Sequence, residues 1–403
     1  MRGSVWKIAW QLFVPGGVLA AAAVVLFHGM QLPGRVQAFL PFYPFLVLGI
    51  GLLLGWRFNR SRLVFVLLFL ALADRALALG LSGESGRIVR DAVALLLPLN
   101  LAVLSALVER GIFTPSGLLR LGALAAQPVL LAGLYRSDYA EVPEWIRRPL
   151  VDLPLLEGIP LPQLSLLAFA LGMAYLLVRF LRRPAAFEGG FLWALPAAWL
   201  PLAGGVTGDT LSWWFATAGL ILVVGVVETS HRMAFRDELT GLPGRRALSE
   251  ALLRLGRRYT LAMVDIDHFK KVNDRYGHDV GDQVLKMVAV RLAAVGGGGR
   301  AFRYGGEEFT LLFAGRSAEE VLPRLEGLRE AVAGSGFVVR HRSRPKDKPP
   351  VKPSKAGRKR LSVTVSIGVA ESQGEKVPAS QVIKDADRAL YRAKSGGRNR
   401  VRS

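Results

Sequence analysis

Four carboxylates stand in two short strings of this 403-residue chain: Asp265 and Asp267 in "TLAMVDID", and Glu307 and Glu308 in "RYGGEEF". If the two strings form neighbouring strands, an acid from each converges on a common point, and about four oxygens face a hard cation. Mg²⁺ suits such a set, because it takes oxygen ligands and commonly joins protein carboxylates to substrate phosphates. Gly305 and Gly306, just before the glutamates, would let a ligand approach the backbone. A solvated surface hairpin can carry the same GGEE string, so the string alone does not decide between the two.

The elements around these residues alternate between helix and strand signals. Thr260 to Ile266 is a β-type apolar run. Ala301 to Tyr304 and Glu307 to Phe313 read as short strands joined at Gly305-Gly306, a turn signal in which both glycines can take positive φ. From Asp282 to Val295, apolar residues recur at helical spacing, and Leu248 to Leu255, Ala318 to Ala333 and Ser380 to Lys394 also read as helices. Leu361, Val363, Val365, Ile367 and Val369 alternate as a half-buried strand. This order predicts an α+β domain, a mostly antiparallel sheet with helices on one side, of the ferredoxin-like or polymerase-palm-like kind.

The first half is of another kind. Apolar blocks near Ile8–Phe27, Val36–Trp56, Leu63–Leu79, Ala92–Val108, Leu118–Tyr135, Ile159–Phe180, Phe191–Gly205 and Leu211–Val227 give eight candidate spans, the seventh the shortest. An α-helical membrane bundle is therefore expected over 1–227, a short helical linker over 228–236 and the α+β domain over 237–403. The first block lacks a cleavage site followed by a polar mature region, so it is expected to remain as a helix. Arginines at 57, 60, 62, 110, 120, 179, 182 and 183 fall in or beside loops on one side, while the segment from Ser137 to Glu157 is acidic. By the positive-inside rule both termini and the second domain face the cytoplasm, as in a multi-pass protein of a bacterial inner membrane. Asp74, Arg75, Asn100 and Gln127 are polar inside spans, where they could serve a ligand or proton site or tie helices together. The absence of cysteine excludes disulfides and thiolate metal sites. The net charge of +21 raises nucleic acid as a partner, but much of the excess lies beside apolar spans and in the tract 340–360, so no nucleic acid polymer is expected.

Three longer strings accompany "RYGGEEF" in order: "DELTGLPGRR" at Asp237–Arg246, "DIDHFKKVNDRYGHDVGD" at Asp265–Asp282 and "DADRALYRAKSGGRN" at Asp385–Asn399. Together they resemble the GGDEF family of diguanylate cyclases, over Asp237 to about Val401, and the resemblance stops short of the membrane half. It implies condensation of two GTP into cyclic di-GMP with release of two pyrophosphates, on Mg²⁺ or Mn²⁺, by a homodimer whose product acts on downstream receptors. It implies Asp265, the carbonyl of Ile266, Glu307 and Glu308 as metal ligands, with Glu307 also the base. Asn273 and Asp282 would read the guanine, with His278 between them. An ionised Asp282 suits guanine, which offers N1–H and N2–H₂ donors where adenine has none. Lys394, Arg398 and the backbone amides of His268 and Phe269, at a helix start, would hold phosphates.

Three features depart from the family pattern. Gly244 stands where Asn is frequent, and glycine is a tolerable N-cap. Gly296 and Gly299 occupy the positions of the usual Arg-x-x-Asp inhibitory product site, so no such site is expected there. The tract 340–360, "RHRSRPKDKPPVKPSKAGRKR", has a disordered composition and could contact anionic lipid headgroups or remain a solvated loop. Two other functions stay open at this point: a non-catalytic nucleotide or cyclic di-GMP receptor on the same fold, and a transporter with a regulatory nucleotide-binding domain.

Overall fold

A computed structural model describes residues 2–29, 33–78, 83–136, 146–152, 158–256, 258–338, 360–372 and 377–403. The tract 340–360 lies, but for Arg360, outside the described residues, as does most of the acidic segment after Arg136. The chain divides into two compact units, Met1–His231 and Arg232–Ser403.

Every regular element described in the first unit is a helix. Five stretches are long and apolar enough to cross a membrane: Ile8–Phe27, Val36–Arg57, Gly86–Ala106, Gln163–Arg182 and Asp209–Phe235. Helix Ser61–Ala78 carries Arg62, Asp74 and Arg75 within 18 residues, and helix Ala186–Ala203 carries Glu188 and two prolines; both are largely buried. Their charges are paired, as burial demands. Arg62 bridges Glu109 at 3.0 Å and Glu188 at 2.9 Å, and Arg179 holds the other oxygen of Glu188 at 2.8 Å. Asn100 and Gln127 exchange two amide hydrogen bonds of 3.0 and 2.9 Å, so these two polar residues tie helix to helix.

The second unit is built on a five-stranded sheet ordered β2-β3-β1-β6-β7: β2 Arg300–Arg303, β3 Glu308–Ala314, β1 Tyr259–Ile266, β6 Val365–Ser372 and β7 Val401–Arg402. All pairs are antiparallel except β6–β7. A separate two-stranded pair joins β4, Phe337–Val338, to β5, Arg360–Leu361. Helices cover both faces, which corrects the expectation of one. Val284, Val288 and Leu325, from helices His278–Ala293 and Ala318–Ala333, pack on Ala262, Val264 and Ile367. Leu248, Val382 and Leu390, from helices Arg245–Leu253 and Ala379–Ser395, pack with Leu261, Met263 and Leu312 on the opposite face. Every residue of β1 is therefore buried.

For the same reason β6 is not half-buried; its first five residues are all buried, and the alternating run breaks after Leu361 into two strands. The helix expected from Asp282 starts earlier, at His278, and a separate helix, Phe269–Tyr276, precedes it. Gly277, at φ +83°, makes the joint between them, a conformation that disfavours any residue with a Cβ. Gly244 is the N-cap of helix Arg245–Leu253.

Candidate active site

The antiparallel register pairs Asp265, near the end of β1, with Glu308, the first residue of β3. Glu307 does not open the strand as expected but stands in the turn before it. The turn is closed by Glu308 N–H donating to Gly305 O at 3.3 Å and by Tyr304 and Gly305 N–H donating to Glu308 O. Neither Gly305 nor Gly306 has positive φ, so the expected turn type is corrected. An arginine supplies the hold instead. Arg303 donates to the Gly306 carbonyl through Nε at 3.2 Å and Nη2 at 2.6 Å, and its Nη1 meets Asp237 at 2.8 Å. Asp237 also accepts from the amide and hydroxyl of Thr240. Burial pushes its carboxyl up, but these bonds from Thr240 and Arg303 bring it below the usual range. The strings "DELTGLPGRR" and "RYGGEEF" are thereby locked together, a link that no spacing in the sequence announced.

Asp265 is 4% exposed and pairs with Lys394 Nζ at 2.9 Å. Lys394 lies in the last turn of helix Ala379–Ser395. The loop beyond it is anchored by Asp267, which resolves the role of the second acid of β1's end. Asp267 Oδ1 accepts from Ser366, and Oδ2 from Thr364 and from the amide of Asn399, at 2.7 to 3.1 Å. That bond brings Arg398 into electrostatic reach of Asp265. Ile266 closes β1 in register with Val365. His268, at φ +59°, is the N-cap of helix Phe269–Tyr276, so the amides following Asp267 begin a helix.

Asn273 and Asp282 lie on the two packed helices after β1, and His278 is the first residue of the second. Asp282 and His278 are exposed. Gly281 was missed by sequence reasoning: a Cβ there would meet Asn273 Oδ1 at 1.9 Å, so only glycine lets the two helices close with the Asn273 amide between them. Gly296 and Gly299 follow helix His278–Ala293; beside them a Cβ on Gly297 would meet the Arg324 side chain, and one on Gly299 the Phe313 ring.

Burial raises the carboxyl of Asp265 above its usual range, Lys394 and Arg398 oppose this, and Asp267 adds to it. Glu307 is raised by burial and then by the charges of Asp265 and Glu308, against Lys394. Among the described residues no three carboxylates or imidazoles stand close enough to enclose an ion unaided. The donors present are hard oxygens on Asp265, Glu307 and Glu308. They fit a divalent ion that completes its shell with phosphate oxygens and water.

Since both folded values lie above the unfolded ones, protonation of Asp265 and Glu307 favours the fold. That contribution is complete below about pH 4, the ordinary carboxylate range, and is lost as pH rises through the raised values. The amide isostere removes Glu307's share. Glu307→Gln is expected to raise the melting temperature of the second unit at pH 8 without divalent ions, by no more than about two degrees because solvent screens a group so exposed, and by less at pH 4. Paired melts check this, and an unchanged or lower value at pH 8 contradicts it.

Residues 234–400 match the family described as "Diguanylate cyclase, GGDEF domain". The chain is 39% identical over 183 residues to the response regulator PleD of Caulobacter vibrioides, an alignment covering 43% of this chain and 37% of PleD. It is also 39% identical over 183 residues to the diguanylate cyclase DgcP of Pseudomonas aeruginosa, covering 43% of this chain and 25% of that protein. The chain thus spans well under half of these relatives. Among solved structures, the coiled coil and GGDEF domain of DgcB from Caulobacter crescentus, in complex with c-di-GMP, is 34% identical with a TM-score of 0.38, covering 44% of this chain and 89% of that one. Residues 234–400 of this chain are a GGDEF domain.

Proposed function

We propose that this protein is a membrane-bound diguanylate cyclase that joins two GTP into cyclic di-GMP, its helical N-terminal unit lying in the membrane with the GGDEF domain on the cytoplasmic side. The observation that carries the reading is Asp265 in register with Glu308 and ion-paired with Lys394 at the end of the β1–β3 pair, with Glu307 within electrostatic reach of all three. A non-catalytic receptor has no need of that set.

In each half-reaction the 3′-oxygen of one GTP bonds to the α-phosphorus of the other, and the bond to the leaving pyrophosphate breaks. Glu307 takes the proton from the 3′-hydroxyl; its raised affinity for protons suits it to that task. Two such steps close the ring and release two pyrophosphates. A divalent ion, Mg²⁺ or Mn²⁺, held by Asp265, the Ile266 carbonyl, Glu307 and Glu308, would acidify the hydroxyl and neutralise charge on the phosphates. Lys394 and Arg398 bind phosphate oxygens, the lysine exchanging its hold on Asp265 for the nucleotide. The helix start at His268 and Phe269 donates backbone amides.

Asn273 and Asp282 grip the guanine edge, with His278 beside them. Asp282→Ala is expected to lower the preference for GTP over ATP by about tenfold or more, since the lost acceptor is what rewards guanine's donors. Competition between the two nucleotides measures it, and an unchanged ratio assigns base reading elsewhere.

One domain holds one GTP, so two domains face each other across a two-fold axis. The experiment is incubation with GTP and Mg²⁺, with cyclic di-GMP followed against enzyme concentration. A fragment from Arg232 is expected to gain specific activity with concentration in the dilute range, and the full chain in membranes much less. Absence of product from the full chain refutes the cyclase reading; a linear plot for a monomeric fragment refutes the dimer.

A further inference from the structure

We propose that the first unit contains a binding site for an amphipathic anion, a carboxylate or phosphate group carrying an aliphatic chain, between helices Ser61–Ala78, Gly83–Ala106 and Asp209–Phe235. Two adjoining cavities meet at Asp74, Arg75 and Ser212. One is polar, about 620 Å³ in volume, and is bounded by Arg87, Arg90, Thr207 and Asp209. The other is a narrow apolar cleft lined by Phe45, Leu67, Leu70, Phe215 and Ala216. A polar chamber opening into an apolar slot has the shape and chemistry of a site for a headgroup with a tail.

The charges give the sign of that headgroup. Asp74 is buried, and both its oxygens are engaged: Oδ2 by Arg75 at 2.6 Å and Oδ1 by the Ser212 hydroxyl at 2.6 Å. Its charge is therefore spent within the protein. Asp209 opens helix Asp209–Phe235, where a carboxylate offsets the positive end of the helix dipole. Arg87 and Arg90 stand three residues apart, hence on one side of their helix. Neither has an acidic partner among the described residues. Two guanidinium groups without an acidic partner among the described residues, both lining one chamber, fit a planar or tetrahedral oxyanion. Arg75, half exposed and stacked over Phe45 at 5.6 Å, stands at the junction, where the chain of such a ligand would enter the cleft. The site lies wholly within the first unit, so its test does not depend on whether the second unit makes cyclic di-GMP.

The same chemistry could come from an anionic phospholipid or from a free fatty acid. Equilibrium binding of radiolabelled decanoate to the full chain in phosphatidylcholine nanodiscs is the test. Saturable binding of one decanoate per chain is expected, weakened at least tenfold by the double substitution Arg87→Gln/Arg90→Gln. Ala216→Phe, which narrows the cleft and leaves the arginines in place, is expected to weaken it as well. Nanodiscs doped with phosphatidylglycerol separate the sources: displacement of decanoate identifies the lipid, and undiminished binding identifies the free acid. Uptake no greater than that of empty nanodiscs overturns the proposal, and so does equal affinity in wild type and the double arginine variant.

Discussion

Replacing Glu307 by glutamine is expected to cut cyclic di-GMP formation by at least about 10³-fold while the fold persists. Glu307 stands outside the β ladder, in a turn held by Arg303 on the Gly306 carbonyl, so the amide isostere disturbs no backbone bond. What it removes is a negative charge facing Asp265 and Glu308 and the only proton acceptor assigned to the 3′-hydroxyl. The same change is expected to stabilise the metal-free domain at pH 8, so loss of activity with a raised melting temperature separates a chemical role from a folding one. Initial rates at saturating GTP and Mg²⁺ provide the measurement. A rate within tenfold of wild type removes Glu307 from the reaction.

Gly368→Ala is expected to destabilise the GGDEF domain by about 3 kcal/mol or more, because overpacking against atoms that cannot turn away is costly. Gly368 lies in β6 beneath helix Ala379–Ser395, and a Cβ there would fall 2.0 Å from Leu390 N and 2.2 Å from Ala386 O. Those are backbone atoms, so the whole helix must lift. A drop in melting temperature of about 10 °C follows for a domain of this size. Activity should fall with it, since the same helix carries Lys394. Gly306→Ala is the control, with nothing within 4 Å of its added methyl. Equal melting temperatures for the two variants would show that the helix has slack.

The strands and most helices of the second unit were legible because apolar spacing is a local property. "TLAMVDI" reads as a strand whatever surrounds it, and Ala318 to Ala333 reads as a helix. What escaped was whatever depends on a second surface. A continuous apolar run is compatible with a buried strand, yet only the packed structure puts Val284 and Leu325 on one face of β1 and β6 and Leu248 and Leu390 on the other. Of the helix Phe269–Tyr276 only the start, at His268 and Phe269, was legible; with eight residues and two buried side chains, Phe269 and Val272, it is too short for its extent to be read from spacing.

The chemistry itself was in the residue types: carboxylates for a hard cation, lysine and arginine for phosphates, an aspartate for guanine's donors. Their convergence was not, because proximity between residues dozens of positions apart, or more than a hundred in the case of Lys394, is set by register and packing. The β1–β3 register sets Asp265 beside Glu308, and the helix Ala379–Ser395 returns Lys394 to Asp265. Asp265 and Asp267 are two residues apart and chemically identical. A strand sends alternate side chains to the same face, yet one becomes the partner of Lys394 and the other an anchor whose oxygens are filled by Thr364, Ser366 and Asn399. Which acid stays free for a ligand depends on which donors the folded chain brings to each, and those donors arrive from the far end of the sequence.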